Sequence, residues 1–68
     1  MSQKSYQFMF VEEWKVESIQ KTGFDKRSFG EHLADYGRDG WNIIAVNYVQ
    51  VANKKKIQRA VTLQRLIG

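Results

Sequence analysis

Basic and aromatic residues, most of them in the second half of the chain, have the side-chain types that bind anionic partners. Basic side chains neutralise phosphates, and aromatic rings stack on bases or fill pockets in a protein partner. The candidate binding residues are Trp14, Tyr48, Lys54, Lys55, Lys56, Arg59 and Arg65. No helix-turn-helix or RNA-binding signature accompanies them. The alternative is that the lysines only keep a hairpin tip solvated and prevent edge-to-edge pairing.

The charges are unevenly distributed along the chain. All seven acidic residues lie at or before Asp39, whereas the net charge of the whole chain is +4. The positive charge therefore belongs to the C-terminal part, and such an asymmetry can attract an anionic partner.

Catalytic and metal-binding chemistry is poorly represented. The chain has no cysteine and one histidine, His32, which excludes a disulfide framework and argues against a zinc site. Glu12, Glu13 and Glu17 could act as acids or bases, but no nucleophile or oxyanion donor accompanies them. We expect no enzyme activity, no cofactor and no metal.

The order of hydrophobic patterns predicts strand, helix, strand, strand within one domain of 68 residues. Period-two alternation indicates strands, and spacings of three and four indicate a helix. The predicted bounds are a strand at 5–16, a loop at 17–24, a helix at 26–38, a strand at 41–51, a turn at 52–55 and a strand at 56–67.

The predicted helix has a marked start and end. Asp25 is the expected N-cap, with Phe24 before it packing on Phe29 as a hydrophobic staple. The apolar stripe of the helix consists of Phe29, Leu33 and Tyr36. Gly40 suits the left-handed residue that follows a helix, and Trp41 after it is expected to anchor the core.

These elements predict a small α+β fold of β-α-β-β type, in which one helix packs on one face of a three-stranded mixed or antiparallel sheet. In the first strand Tyr6, Phe8 and Phe10 share one face, and Met9 and Val11 share the other. A single helix covers a single face, so the uncovered face should bury itself in an oligomer. The expected interface residues are Met9, Val11, Ile44 and Val46.

Two parts of the chain resemble a small family of bacteria and their phages, the domain of unknown function 4177. Members pair a strand of the type Tyr-x-Tyr-Lys-Val-Val with a later Leu-Gly-x-Glu-Gly-Trp-Glu-Leu-Val and often end near Phe-Lys-Arg. The matching positions here are Tyr6, Phe8 and Val11, then Tyr36, Gly37, Asp39, Gly40, Trp41, Ile43 and Ile44, then Leu63, Gln64 and Arg65. Tyr36 and Asn42 depart from the pattern. The resemblance implies a fold and no reaction.

The sequence therefore predicts a cytoplasmic, non-enzymatic, self-associating module that binds a protein or nucleic acid through its basic hairpin and exposed aromatics. The alternative is a phage or bacterial protein that sequesters an anionic nucleotide or metabolite at an oligomer interface. No apolar run approaches the roughly 20 residues that a membrane span needs.

Overall fold

The computed structural model describes residues 4–50 and 56–67. Its elements, in chain order, are β1 (Tyr6–Glu12), α1 (Glu13–Thr22), α2 (Phe29–Arg38), β2 (Asn42–Gln50) and β3 (Ile57–Leu66). The α+β class is confirmed, but the described residues contain two helices where the sequence predicted one. The predicted turn at 52–55 lies outside the described residues.

The three strands form one antiparallel sheet in the order β1-β3-β2. β3 is central and antiparallel to both neighbours, with Val11 opposite Val61 on one side and Val46 opposite Val61 on the other. A β-bulge interrupts the β2–β3 register between Ile43 and Ala45. Residues that lie opposite each other point to the same face of a sheet, so this register assigns side chains of all three strands to two faces.

The first strand is shorter than predicted, and the predicted loop at 17–24 is wrong. The chain leaves β1 after Glu12 and enters α1, which includes Trp14 and Val16. Gly23 ends α1 in the left-handed conformation (φ 75°), and its N–H donates to the Gln20 carbonyl. The side chains of α1 that face the rest of the molecule include Glu13 and Glu17. The residues that repeat at helical spacing on this side of α1 are therefore largely polar.

The start of α2 also differs from the prediction. Ser28, not Asp25, is the N-cap, and its Oγ accepts a hydrogen bond of 3.2 Å from the Glu31 N–H. Phe24 is 92% exposed, so the predicted staple between Phe24 and Phe29 does not form. Asp25 instead accepts from the Arg27 N–H at 3.0 Å, which shapes the loop between the two helices.

The end of α2 agrees with the sequence. Asp39 caps the helix and Gly40 follows with φ +91°, a conformation that penalises a Cβ. Trp41 then packs against the core from the residue before β2. The predicted stripe is confirmed as well, since Phe29 is buried and Leu33 and Tyr36 pack against the same cluster.

The core lies between the helices and one face of β1 and β3. Val11, Val16, Phe29, Val61 and Leu63 form the buried cluster, and Met9 packs against it. Our expectation that Met9 and Val11 lie on the uncovered face is therefore wrong. Alternation within β1 separates Met9 and Val11 from the aromatic residues but carries no information on which set the helices cover.

The molecule is thin and extended for its length. Its principal extents are 50 × 24 × 13 Å and its Cα radius of gyration is 14.2 Å, whereas a compact domain of this length would have about 11 Å. The helices lie over β1 and β3, and all nine residues of β2 are exposed. A single copy thus leaves much of its sheet without a covering layer.

Candidate interaction surface

The sheet face opposite the helices is aromatic and exposed. It carries Tyr6, Phe8 and Phe10, which alternate with the core residues of β1, and Leu66, which lies opposite Tyr6. We call this surface, with Trp14 at its end, the aromatic face. At about 200 Å² for each aromatic side chain, the exposed fractions of Tyr6 (44%), Phe8 (65%), Phe10 (58%) and Trp14 (42%) correspond to about 400 Å² of apolar surface.

A pocket of about 620 Å³ lies at the Trp14 end of the aromatic face. Its lining is mainly apolar, with Phe10, Trp14, Val49 and Ala60 among the residues. The indole N–H of Trp14 donates to Glu12 Oε2 at 2.5 Å, which fixes the ring beside the sheet. Volumes of about 300–1,000 Å³ are typical of small-molecule sites, so the pocket has room for a planar ring.

Glu13 connects α1 to β3 at the point where the β1 ladder ends. Its carboxylate accepts from the Arg59 backbone N–H at 3.0 Å and from the Arg59 guanidinium at 2.9 Å. The side-chain hydrogen bond from Arg59 lowers the pKa of Glu13, and the same bond raises the pKa of Arg59. The carboxylate thereby replaces the strand partner that β3 loses when the chain turns into α1.

Glu17, one helical turn after Glu13, forms a hydrogen bond and an ion pair with residues at the start of β3. Its Oε2 accepts from Gln58 Nε2 at 2.8 Å, and its Oε1 lies 3.3 Å from Lys56 Nζ. Gln58 is 1% exposed, and its Oε1 has no hydrogen-bond partner. Two of the candidate anion-binding cations, Lys56 and Arg59, are therefore paired with carboxylates of α1.

Arg65 has a different environment from Arg59. Its guanidinium lies 4.6 Å from the centre of the Trp41 ring and donates to Gln7 Oε1 at 2.6 Å. The guanidinium of Arg65 thus contacts the Trp41 ring and a neutral amide, and its positive charge is available to an anion.

The remaining predicted binding residues are not brought together. Tyr48 is 72% exposed on β2, on the same face as Val46 and away from the aromatic face. Lys54 and Lys55 lie outside the described residues. Of the expected interface residues, Ile44 and Val46 are about half exposed, so their role in assembly stays a prediction, whereas Met9 and Val11 belong to the core.

A second charged cluster holds the loop between the helices. Arg27 bridges Asp25 at 2.8 Å and Asp35 at 2.6 Å, and its hydrogen bonds hold the pKa values of both carboxyls below their ordinary range. His32 is buried, with Nε2 3.4 Å from Asp25 Oδ2. Asp25 is thus shared by Arg27 and His32, and spacing within one helix could not identify it as their partner because it lies in the loop before α2.

No group of three or more metal-ligating side chains occurs in residues 4–50 and 56–67. Neither helix in that part of the chain is long and apolar enough to cross a membrane. Comparison with family models, with curated proteins and with solved structures found no match to this chain.

Proposed function

We propose that this chain is a non-enzymatic binding module that self-associates through its aromatic face. The observation that carries the proposal is the exposure of Tyr6, Phe8 and Phe10 together on one side of the sheet. Their surface, with that of Trp14, falls within the roughly 300–600 Å² of the largest apolar patch on a typical monomer. A patch of this size is often functional, and here three aromatic side chains of one strand supply most of it.

Self-association also supplies the layer that the single copy lacks. A chain of about 60 residues buries only about 60% of the surface exposed by its unfolded form. In the described residues the buried hydrophobic core consists of Val11, Val16, Phe29, Ala60, Val61 and Leu63. Packing the aromatic face against a second copy would place Phe8 and Phe10 in a second apolar layer.

The basic hairpin is the proposed contact for a macromolecular partner, and of its cations the structure describes Lys56, Arg59 and Arg65. Lys56 and Arg59 are paired with Glu17 and Glu13, which reduces their attraction for phosphate. Within residues 4–50 and 56–67 no carboxylate pairs with the Arg65 guanidinium, which donates to Gln7, and Trp14 remains an exposed aromatic contact. These features favour a protein partner over a nucleic acid, because nucleic-acid affinity depends on the number of phosphates neutralised.

The alternative function is the binding of an anionic nucleotide or metabolite at the oligomer interface. The observation that favours it is the pocket between Phe10 and Trp14 at the end of the aromatic face. A second copy packed on that face would close the pocket around a ring. Arg59, which also lines the pocket, would then exchange its pairing with Glu13 for a phosphate of the ligand. Native mass spectrometry of protein purified from cells distinguishes the two functions, because a sequestered ligand adds mass to each assembly.

Light scattering at micromolar concentration tests the self-association. We expect the unmodified chain to exceed the 8.0 kDa of one copy, and Phe8→Lys to lower the mass by placing a charge at the centre of the interface. Phe24→Lys is the matched control, because Phe24 is equally apolar and 92% exposed but lies in the loop after α1. An unmodified chain of 8 kDa would refute the proposal, as would equal losses for the two variants.

A further inference from the structure

The outer edge of β2 is the most accessible backbone of the sheet. β2 lies at the end of the strand order and pairs only with β3, and all nine of its residues are exposed. On the helix side of the sheet Val46 is 44% and Tyr48 72% exposed, so the helices do not shield this strand. Alternate N–H and C=O groups along an edge strand point outward without a sheet partner.

The sequence of β2 lacks the usual protection of an edge. Charged side chains and prolines normally prevent such strands from pairing with other chains. The strand reads Asn-Ile-Ile-Ala-Val-Asn-Tyr-Val-Gln and contains neither. The bulge between Ile43 and Ala45 interrupts one end only, which leaves Ala45–Gln50 regular. β1, the other edge strand, is different, because Glu12 ends it with a charge.

The area of the aromatic face indicates that the chain pairing with the outer edge of β2 is a second copy of this protein. One copy offers about 400 Å² of aromatic surface, half of the roughly 800 Å² per partner of a standard interface. Antiparallel pairing of two β2 strands about a two-fold axis perpendicular to the sheet keeps equivalent faces on the same side. Two aromatic faces then lie on the same side of the joined sheet, one at each outer edge because β1 and β2 are the opposite edges of each copy, and together they offer about 800 Å².

We propose that the outer edge of β2 pairs with β2 of a second copy, joining two three-stranded sheets into one six-stranded sheet with all helices on one side. This inference rests on the proposed self-association and adds a second, distinct interface to it. Two such six-stranded sheets pack against each other through the aromatic faces of all four copies. The result is a tetramer with perpendicular two-fold axes. The expected mass is about 32 kDa, four copies of the 8.0 kDa chain.

Substitutions at Val46 test this pairing of two β2 strands, which we call the β2 seam. It is the middle residue of β2 (Asn42–Gln50), so with full overlap it faces its own counterpart, with Cβ atoms about 4.5–5.5 Å apart. It is half exposed and does not lie on the aromatic face. Val46→Lys or Val46→Glu alone places two like charges opposite each other, whereas a mixture of the two variants places a lysine opposite a glutamate.

We expect each Val46 variant alone to have at most half the mass of the unmodified chain, and an equimolar mixture at the same total concentration to recover the full mass. A folding defect would not be repaired by mixing. Ser18→Lys and Ser18→Glu are the matched controls, since Ser18 is exposed on α1, and neither should change the mass. Amide exchange in residues 42–50 should be faster in the Val46 variants than in the mixture.

The outcomes separate this inference from the proposed function. If the unmodified chain is a monomer, both are overturned. If Phe8→Lys lowers the mass while Val46→Lys leaves it unchanged, self-association stands and the β2 seam is overturned. If the Val46 variants lose mass and the mixture fails to recover it, the seam is also overturned. Loss in each variant with recovery in the mixture supports the seam.

Discussion

The contact of Glu13 in α1 with Arg59 in β3 gives the most specific test of the interactions that stabilise the fold. Its carboxylate accepts from the backbone N–H of Arg59 and from the Arg59 guanidinium. Glu13→Ala removes both acceptors and leaves a strand N–H without a partner. A hydrogen bond to a charged group contributes about 1.5–3 kcal/mol, and the Glu13 side chain is only 16% exposed. We expect the free energy of unfolding to fall by about 2 kcal/mol.

Thermal unfolding followed by circular dichroism measures this loss. For a domain of 60–100 residues the change corresponds to a Tm about 8–16 °C lower. All variants must be compared at one protein concentration, because the proposed self-association would raise the apparent stability.

Arg59→Ala is the matched control for Glu13→Ala. It removes the guanidinium and keeps the N–H, so Glu13 retains its backbone bond. Arg59 is 45% exposed, and ion pairs at such sites contribute about 0–1 kcal/mol. Its guanidinium also lies 4.9 Å from the centre of the Phe29 ring, a cation–π contact that adds about 0.5–1 kcal/mol. If Glu13→Ala costs no more than Arg59→Ala, Glu13 acts only as an ion-pair partner and the reasoning about the strand N–H is refuted.

The pKa of Glu13 gives the same interaction a pH dependence. In the folded chain the pKa lies below its ordinary value of 4.5, chiefly because of the hydrogen bond from Arg59. The stabilisation is therefore complete above pH 4.5 and is lost as the pH falls through the folded pKa. Glu13→Gln cannot titrate, so its stability deficit should shrink in acid. A deficit of constant size from pH 7 to pH 3 would contradict the assignment.

Three further substitutions test other parts of the fold by the same unfolding assay. Gly30→Ala should raise the free energy of unfolding by about 0.5–1 kcal/mol, because the added Cβ of this helical residue meets nothing within 4 Å. A lower free energy of unfolding would mean that α2 is more closely packed at this position. Gly40→Ala should destabilise by about 1–2 kcal/mol, since its φ is +91°, and an unchanged Tm would contradict the left-handed cap. Leu63→Ala should cost about 2–5 kcal/mol, because Leu63 is 0% exposed, and a cost below about 1 kcal/mol would place the core elsewhere.

The sequence predicted the elements whose signal is local. The alternation of Tyr6, Phe8 and Phe10 identified β1, and the spacing of Phe29, Leu33 and Tyr36 identified α2. Gly40 marked the end of that helix, because a left-handed residue there strongly favours glycine. The candidate surface was predicted in part, since Trp14 was recognised as an exposed aromatic residue outside the core.

α1 was missed because its contacts are polar. Glu13, Val16, Glu17 and Gln20 follow helical spacing, but only Val16 is apolar. Glu13 and Glu17 bond β3, and Gln20 Nε2 donates to the Arg27 carbonyl at 2.7 Å. A search for apolar periodicity cannot detect a helix that packs mainly through hydrogen bonds.

By itself the sequence determined that the chain has strands with two unlike faces, a helix ending at Gly40, and basic residues but no acidic ones after Asp39. Only the tertiary structure decided which face of β1 is covered, that β3 is the central strand, and that Glu13 and Glu17 of α1 pair with Arg59 and Lys56. The physical reason is the range of the interactions. Alternation and capping depend on neighbours in the chain, whereas coverage and charge pairing join residues about 40 positions apart, such as Glu17 and Lys56.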